Sequence, residues 1–299
     1  MTGPDPSLSA IMSERRQLIN LAYRLLGSLA DAEDVVQDTY ARWYAMSREE
    51  QDAIDNPGAW LTKVASRICL DLLRSARARR ERYVGEWVPE PVPDQAEWLG
   101  DQPDGDPADR VTLDESVNMA FLVVLDAMTP AERVAFILHD VFRYPFPEVA
   151  EIVGRTPAAC RQLASSARRR ISTAQSPVAP TAQQAEIVRE FKQAWAAKDI
   201  QTLITLLDPD AIAIGDGGGV VTAAQHPVHG GAEIAQYFTD LVERSYGLVV
   251  LERTVNGQPG LVVQRAGVTE TVIAFDIADD RIKHIWAVRN PEKLRPWTS

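Results

Sequence analysis

Long apolar runs are missing from this sequence: no stretch approaches the ~20 apolar residues that cross a bilayer. The N-terminus also lacks a basic start followed by an apolar core, so nothing marks the chain for export. A soluble protein acting in the cytoplasm, with no membrane partner, is the expectation. Cysteine is scarce. Cys69 and Cys160 are the two present, and neither has a Cys or His at metal-ligand spacing. That excludes a thiolate metal centre and leaves buried thiols in a reducing compartment. No cofactor and no metal is implied. Basic charge is in deficit too, with 31 Lys and Arg against 42 Asp and Glu, a formal net charge of −11. A generally adhesive nucleic-acid coat is thereby excluded, and any DNA contact has to come from local patches.

Two local absences point to those patches. From Val153 to Ala182 there is no acidic residue, and from Val84 to Asp109 there is no Lys or Arg. The first window covers a pair of short helices joined at Gly154, Phe146 to Ile171. Phe146, Val149, Ile152 and Val153 form the apolar face of the first helix. In the second, Thr156 is placed as cap and Pro157 sits in the first turn, where its missing N–H costs nothing. Cys160, Leu163, Ala164, Ala167 and Ile171 recur at helical spacing as the buried stripe. Outward positions are Ala158, Arg161, Gln162, Ser165 and Arg168, with Arg155 in the turn. Arg and Gln there suit two-pronged pairing with base edges in a major groove.

With 299 residues the chain has room for two or three cores. Residues 1–10 are Pro/Gly/Ser-rich and expected to be disordered. Residues 11–83 read as three helices: one ending near Gly27, one capped by Asp31, and one opened by Asn56-Pro57. The second carries an outward stripe of Asp34, Gln37, Asp38 and Arg42. Along the third, Lys63, Arg67 and Arg74 lie outward and lead into Arg77, Arg79 and Arg80. Residues 84–110 are a Pro-rich acidic linker, expected to be extended and self-repelling. Its Trp87 and Trp98 are unusual for a plain spacer. Residues 111–175 are helical again, and 176–184 form a second linker. Residues 185–299 change texture, with two helices, short β-like runs, and turn signals at Asn256-Gly257, Gly267 and Asp279-Asp280. That order predicts an α+β domain with a curved sheet wrapped round a helix.

The assembled pattern resembles the extracytoplasmic-function (ECF) class of RNA polymerase sigma factors. DAEDVVQDTYARWY resembles the region 2 helix that docks on the polymerase β′ clamp, and NPGAWLTKVASRICLDLLRSARARR the helix that reads the −10 element. The run from Thr129 to Arg170 resembles region 4, the helix-turn-helix module. The last domain is similar to SnoaL-like members of the NTF2-like superfamily, which share a cone-shaped α+β fold. Three further motifs match the SigJ-like group. They stand here as Trp87-Val88-Pro89-Glu90-Pro91, Asp216-Gly217-Gly218-Gly219 and Asn290-Pro291-Glu292-Lys293-Leu294. Departures are slight: Val88 for Leu, Glu292 for Asp, and Val220 where a basic residue often follows.

The resemblance implies a fold of two all-α sigma domains and a C-terminal cone, and a non-enzymatic role. Asp34, Gln37, Asp38 and Arg42 would meet the polymerase. Asn56, Lys63, Arg67, Arg74, Arg77 and Arg80 would hold the −10 region. Arg155, Thr156, Ala158, Arg161, Gln162, Ser165 and Arg168 would read the −35 element. The three motifs would make a regulatory contact between domains. Implied partners are core polymerase (β′ clamp and β flap) and promoter DNA. The free protein would be monomeric, and no separate anti-sigma factor would be required. Two other readings stay open at this level: a DNA-binding regulator that ignores polymerase, and an enzyme fused to a DNA-binding module. The latter would use Asp216, His226, His229, Asp276 or His284 as acid–base groups.

Overall fold

The computed structural model describes residues 6–80, 83, 85–93, 117–174, 181–224, 226–243 and 247–297, and the chain divides into two compact units. The first is helical. The second comprises the C-terminal domain together with residues 80–95 and 117–123.

Helix α1 (Pro6–Leu26) stops at Gly27, whose left-handed φ of 69° and N–H to the Tyr23 carbonyl close its last turn. Residues 6–10, expected to be disordered, therefore belong to a helix, and residues 1–5 lie outside the described residues. Ser28, not Asp31, caps α2 (Leu29–Tyr44): its hydroxyl accepts the Asp31 N–H, leaving the Asp31 carboxylate in the first turn. There it faces the positive end of the helix dipole. After the short α3 (Arg48–Asp52), Asn56 caps α4 (Pro57–Arg80) by accepting the Ala59 N–H at 3.0 Å. Leu61, Ala65, Ile68, Cys69 and Leu73 form the buried stripe of α4. Burial pushes the Cys69 thiol well above its ordinary pKa, so it is an inert packing group.

Helix α5 (Met119–Asp126) leads to α6 (Pro130–Phe136), whose start is a full capping box between Thr129 and Glu132. A π-helical turn (Ile137–Val141) continues α6, then come α7 (Phe146–Val153) and α8 (Pro157–Ala174). Gly154, at φ 71°, supplies the left-handed turn between the last two. Arg133 ties the modules of this unit together. It is 3% exposed, donates to the Leu25 carbonyl at 2.8 Å and pairs with Asp126 at 2.8 Å. Arg133→Ala would strip the Leu25 carbonyl and the Asp126 carboxylate of this donor. The expected loss is about 3 kcal/mol, read as a lower urea midpoint for the helical unit.

In the second unit, α9 (Thr181–Ala197) takes in residues 181–184 of the expected linker, and residues 175–180 lie outside the described residues. Next come α10 (Ile200–Leu206), β1 (Leu207–Asp216), β2 (Val228–His229), α11 (Gly231–Glu243), β3 (Leu248–Val255), β4 (Gln258–Arg265), β5 (Val268–Ala278) and β6 (Arg281–Val288). They build one sheet in the order β2-β1-β6-β5-β4-β3. Strands β3 to β6 form an antiparallel meander, and β1 joins β6 in parallel. Its turns, Asn256-Gly257, Ala266-Gly267 and Asp279-Asp280, all have positive φ at both positions, matching the twist of the flanking strands.

Both faces of the sheet are used. One packs on the helices through Phe191, Trp195, Phe238 and Phe275, whose rings meet edge to face at 5.1–5.4 Å. This aromatic cluster belongs to the core between the helices and the sheet. The other face, Val255, Val262, Val272, Ala274, Trp286 and Val288, buries Val88, Met119 and Leu294. Residues 88–92, from the stretch expected to be an extended and self-repelling linker, are therefore buried, and Val88 is part of a core.

Candidate functional site

The outward stripe of α2 is exposed at Asp34, Gln37, Asp38 and Arg42, while Ala32, Val35, Val36, Thr39 and Trp43 hold the opposite face in the core. Asp34 and Asp38 have no ion-pair partner among the described residues. A rigid helix thus presents uncompensated carboxylates to solvent.

The basic stripe of α4 is less free. Lys63 pairs with the carboxylate of Glu151, and an Arg67 N–H donates to the Glu151 carbonyl at 3.1 Å. Glu151 belongs to α7, the first helix of the helix-turn-helix, so the −10 candidates face the −35 module. Its bond from Lys63, then the attraction of that ammonium, holds the Glu151 carboxyl below the usual range. Arg74 pairs with Asp71 at 3.2 Å on the surface, which contributes little. Asn56 is spent on its cap, and the side chains of Arg77 and Arg80 lie outside the described residues. Trp60 is half-buried and packs edge-on against the buried Trp43 at 5.3 Å.

Arg155 and Thr156 in the turn before α8, and Ala158, Arg161, Gln162 and Ser165 on it, are exposed, and Thr156 caps the helix by accepting the Ala159 N–H. Arg161 lies over the Phe146 ring at 5.4 Å. Arg168 departs from the expectation of a free reader. Both arms of its guanidinium bind Asp140, at 2.6 and 3.2 Å, which commits it to bracing the module.

In the second unit the three short motifs meet at one carboxylate. Asp216, fully buried at the end of β1, accepts from Tyr83 Oη (2.6 Å), Val88 N (3.0 Å), Gly218 N (3.0 Å) and Lys293 Nζ (2.7 Å). Lys293 also donates to the Val88 carbonyl at 2.5 Å. Its ammonium lies over the rings of Trp87 (4.2 Å) and Tyr83 (5.3 Å), a cage that suits a desolvated cation. Pro89, Glu90 and Pro91 are buried, and Trp297 donates its indole N–H to the Pro91 carbonyl at 2.8 Å. Asn290 donates to Tyr83 Oη at 2.9 Å and accepts the Glu292 N–H, turning the tail so that Lys293 and Leu294 point inward while Pro291 stays exposed. Burial first, then the bond to Asp216, raises the Tyr83 phenol well above its ordinary value, so it stays a donor.

The glycines of the middle motif are required by contact. A Cβ on Gly217 would lie 2.2 Å from the Val221 carbonyl, and one on Gly218 2.5 Å from the Asn290 amide. Gly218 and Gly219 also have positive φ, 64° and 70°. These residues hold the linker through Val88 and Tyr83.

Sequence reasoning missed three members of this site. Asn256, read only as a turn residue, is fully buried: its side chain accepts the Val92 N–H at 3.2 Å and donates to the Val117 carbonyl at 3.0 Å. One amide thus binds both ends of the connection between the helical modules. Tyr83 and Trp297 had no local signal beyond an aromatic ring beside Arg or Pro.

The acid–base candidates do not converge. Asp216 is engaged as above, His226 and His229 are exposed, and His284 pairs with Asp276 at 3.0 Å while stacked on Trp286. Among the described residues no cluster of His, Cys, Asp and Glu suits a metal ion, and no helix is long and apolar enough to cross a membrane.

Comparison with known proteins agrees with this arrangement. The family model for sigma-70 region 2 matches residues 10–79, and that for sigma-70 region 4 matches residues 118–171. The ECF RNA polymerase sigma factor SigJ of Mycobacterium tuberculosis is 38% identical, across 94% of this chain and 90% of that protein. SigI of the same species is 34% identical over 99% and 97% of the two chains. The crystal structure of M. tuberculosis SigJ superposes with a TM-score of 0.76 at 35% identity, covering 97% of this chain and 98% of that one. The matches to both sigma-70 regions, with 38% identity to SigJ across 94% of this chain, show that the chain belongs to the family of ECF RNA polymerase sigma factors.

Proposed function

We propose that this sigma factor carries its own restraint, and that the Asp216–Lys293 latch is its centre. Sigma factors bind core polymerase and direct it to promoters. In this chain α2 presents Asp34, Gln37, Asp38 and Arg42 to the β′ clamp, and the second module engages the β flap. Helix α4 takes the −10 element and α8 the −35 element, with Arg155, Arg161, Gln162 and Ser165 as readers. The connection between the modules is anchored to the cone at both ends, by the latch and by Asn256. That anchoring supports regulation in cis by the C-terminal domain, in the cytoplasm, by a monomer that needs no separate anti-sigma factor.

Glu151 supports the same reading from the first unit, since its carboxylate occupies Lys63 where a DNA phosphate would. Glu151→Gln is expected to tighten binding of −10 DNA by the free protein about threefold at low salt, measured by fluorescence anisotropy. The gain is modest because both side chains are well exposed and the Arg67 bond to the backbone persists. The sign of its pH dependence follows from the lowered pKa of Glu151. The contact is fully present above the ordinary carboxylate range and is lost as pH falls through the depressed value. Run-off transcription with purified core polymerase tests the whole assignment. Failure of the two proteins to associate at modest salt removes it.

A further inference from the structure

Between α4 and the turn joining α7 to α8 lies an open cleft of about 370 Å³. Arg67, Asp71 and Arg74 line it from α4, and Gly154 and Arg155 from the turn; Leu70, Ile152 and Val153 add apolar lining. Three guanidinium groups therefore share the cleft with one carboxylate, and Asp71 is already paired with Arg74. The backbone N–H of Arg155 donates to the Ala150 carbonyl at 3.1 Å, but its guanidinium has no hydrogen bond or ion pair among the described residues. Arg67 gives one N–H to the Glu151 carbonyl, and its fork has others left to offer. Like charges gathered around a cavity raise the energy of the arrangement, and an anion between them lowers it.

We propose that this cleft binds a nucleoside phosphate. The phosphate groups lie among Arg67, Arg74 and Arg155, whose planar forks match phosphate oxygens. The base rests on Leu70, Ile152 and Val153, which gives an organic phosphate an advantage over an inorganic one. The volume falls in the range of small-molecule sites and is far too small for a duplex. Because the walls come from both helical modules, a bound nucleotide holds them in the arrangement in which Lys63 faces Glu151. Its effect on promoter capture rests on the reading of α4 and α8 as promoter-binding helices, but the binding itself does not.

The test is isothermal titration calorimetry of the full chain without core polymerase, at matched ionic strength and without magnesium. The probes are ATP, inorganic triphosphate and adenosine. ATP is expected to bind about tenfold more tightly than triphosphate, with no heat from adenosine. Arg155→Ala should weaken ATP binding about tenfold, and Arg155→Lys, which keeps the charge but loses the fork, by an intermediate amount. Equal affinity for ATP and triphosphate, or ATP binding undiminished in Arg74→Ala/Arg155→Ala, overturns the site. Core polymerase is absent, so such a failure leaves the transcription assays standing.

Discussion

Lys293→Met is expected to lower the melting temperature of the C-terminal unit by about 10 °C and to open residues 83–93 to protease. The ammonium it removes is the sole cation on a fully buried carboxylate among the described contacts. Without it Asp216 keeps only neutral donors, Tyr83 Oη and the N–H groups of Val88 and Gly218. Breaking one side of a buried pair costs about 3 kcal/mol or more, because the other charge stays desolvated. Lys293→Met/Asp216→Asn should recover part of the loss, since both charges are then gone. The double variant separates an electrostatic latch from simple packing by the lysine stem. Run-off transcription by the single variant should differ from wild type if the latch sets how far the modules separate. Unchanged protease sensitivity and unchanged transcription together would remove the regulatory role of the latch.

Asp34→Arg/Asp38→Arg should weaken association with core polymerase by about two orders of magnitude while leaving binding to promoter DNA intact. Both carboxylates sit on the solvent face of α2, so the substitutions disturb no core contact and the fold should survive. A basic partner surface that attracts the stripe would instead meet two like charges, a reversal worth several kcal/mol. The association rate should fall most, and added salt should narrow the gap between variant and wild type. Surface plasmon resonance against immobilised core enzyme reads both. A variant that binds core polymerase as wild type does would move the docking surface elsewhere on the chain.

Much of the fold was legible because local rules and global packing agree. The capping box at Thr129-Glu132, the Asn56 and Thr156 caps, and the left-handed Gly154 each follow from short-range chemistry that sequence displays. The meander was readable from three turns that all demand positive φ. The departures come from long-range pairing. Ser28 outcompetes Asp31 as cap because the chain leaves Gly27 one turn earlier than the acidic run suggests. The acidic composition of residues 84–110 argued for a solvated spacer, yet Val88 and Val92 bury on the sheet. Composition could not show that a hydrophobic face had been left open for them. Nor could spacing reveal that Arg168 has Asp140 within reach, or Lys63 has Glu151, since the partners are 28 and 88 residues apart.

Distance along the chain also sets an order of events during synthesis. Val88 and Lys293 are separated by 205 residues, so the ribosome finishes both helical modules long before the tail exists. At about 5–20 residues per second, the nascent protein passes roughly 10–40 s without the contact of Lys293 to Val88. Strand β1 waits as well, because its parallel neighbour β6 is made near the end. For that interval both helical modules exist while Asp216 still lacks the ammonium of Lys293.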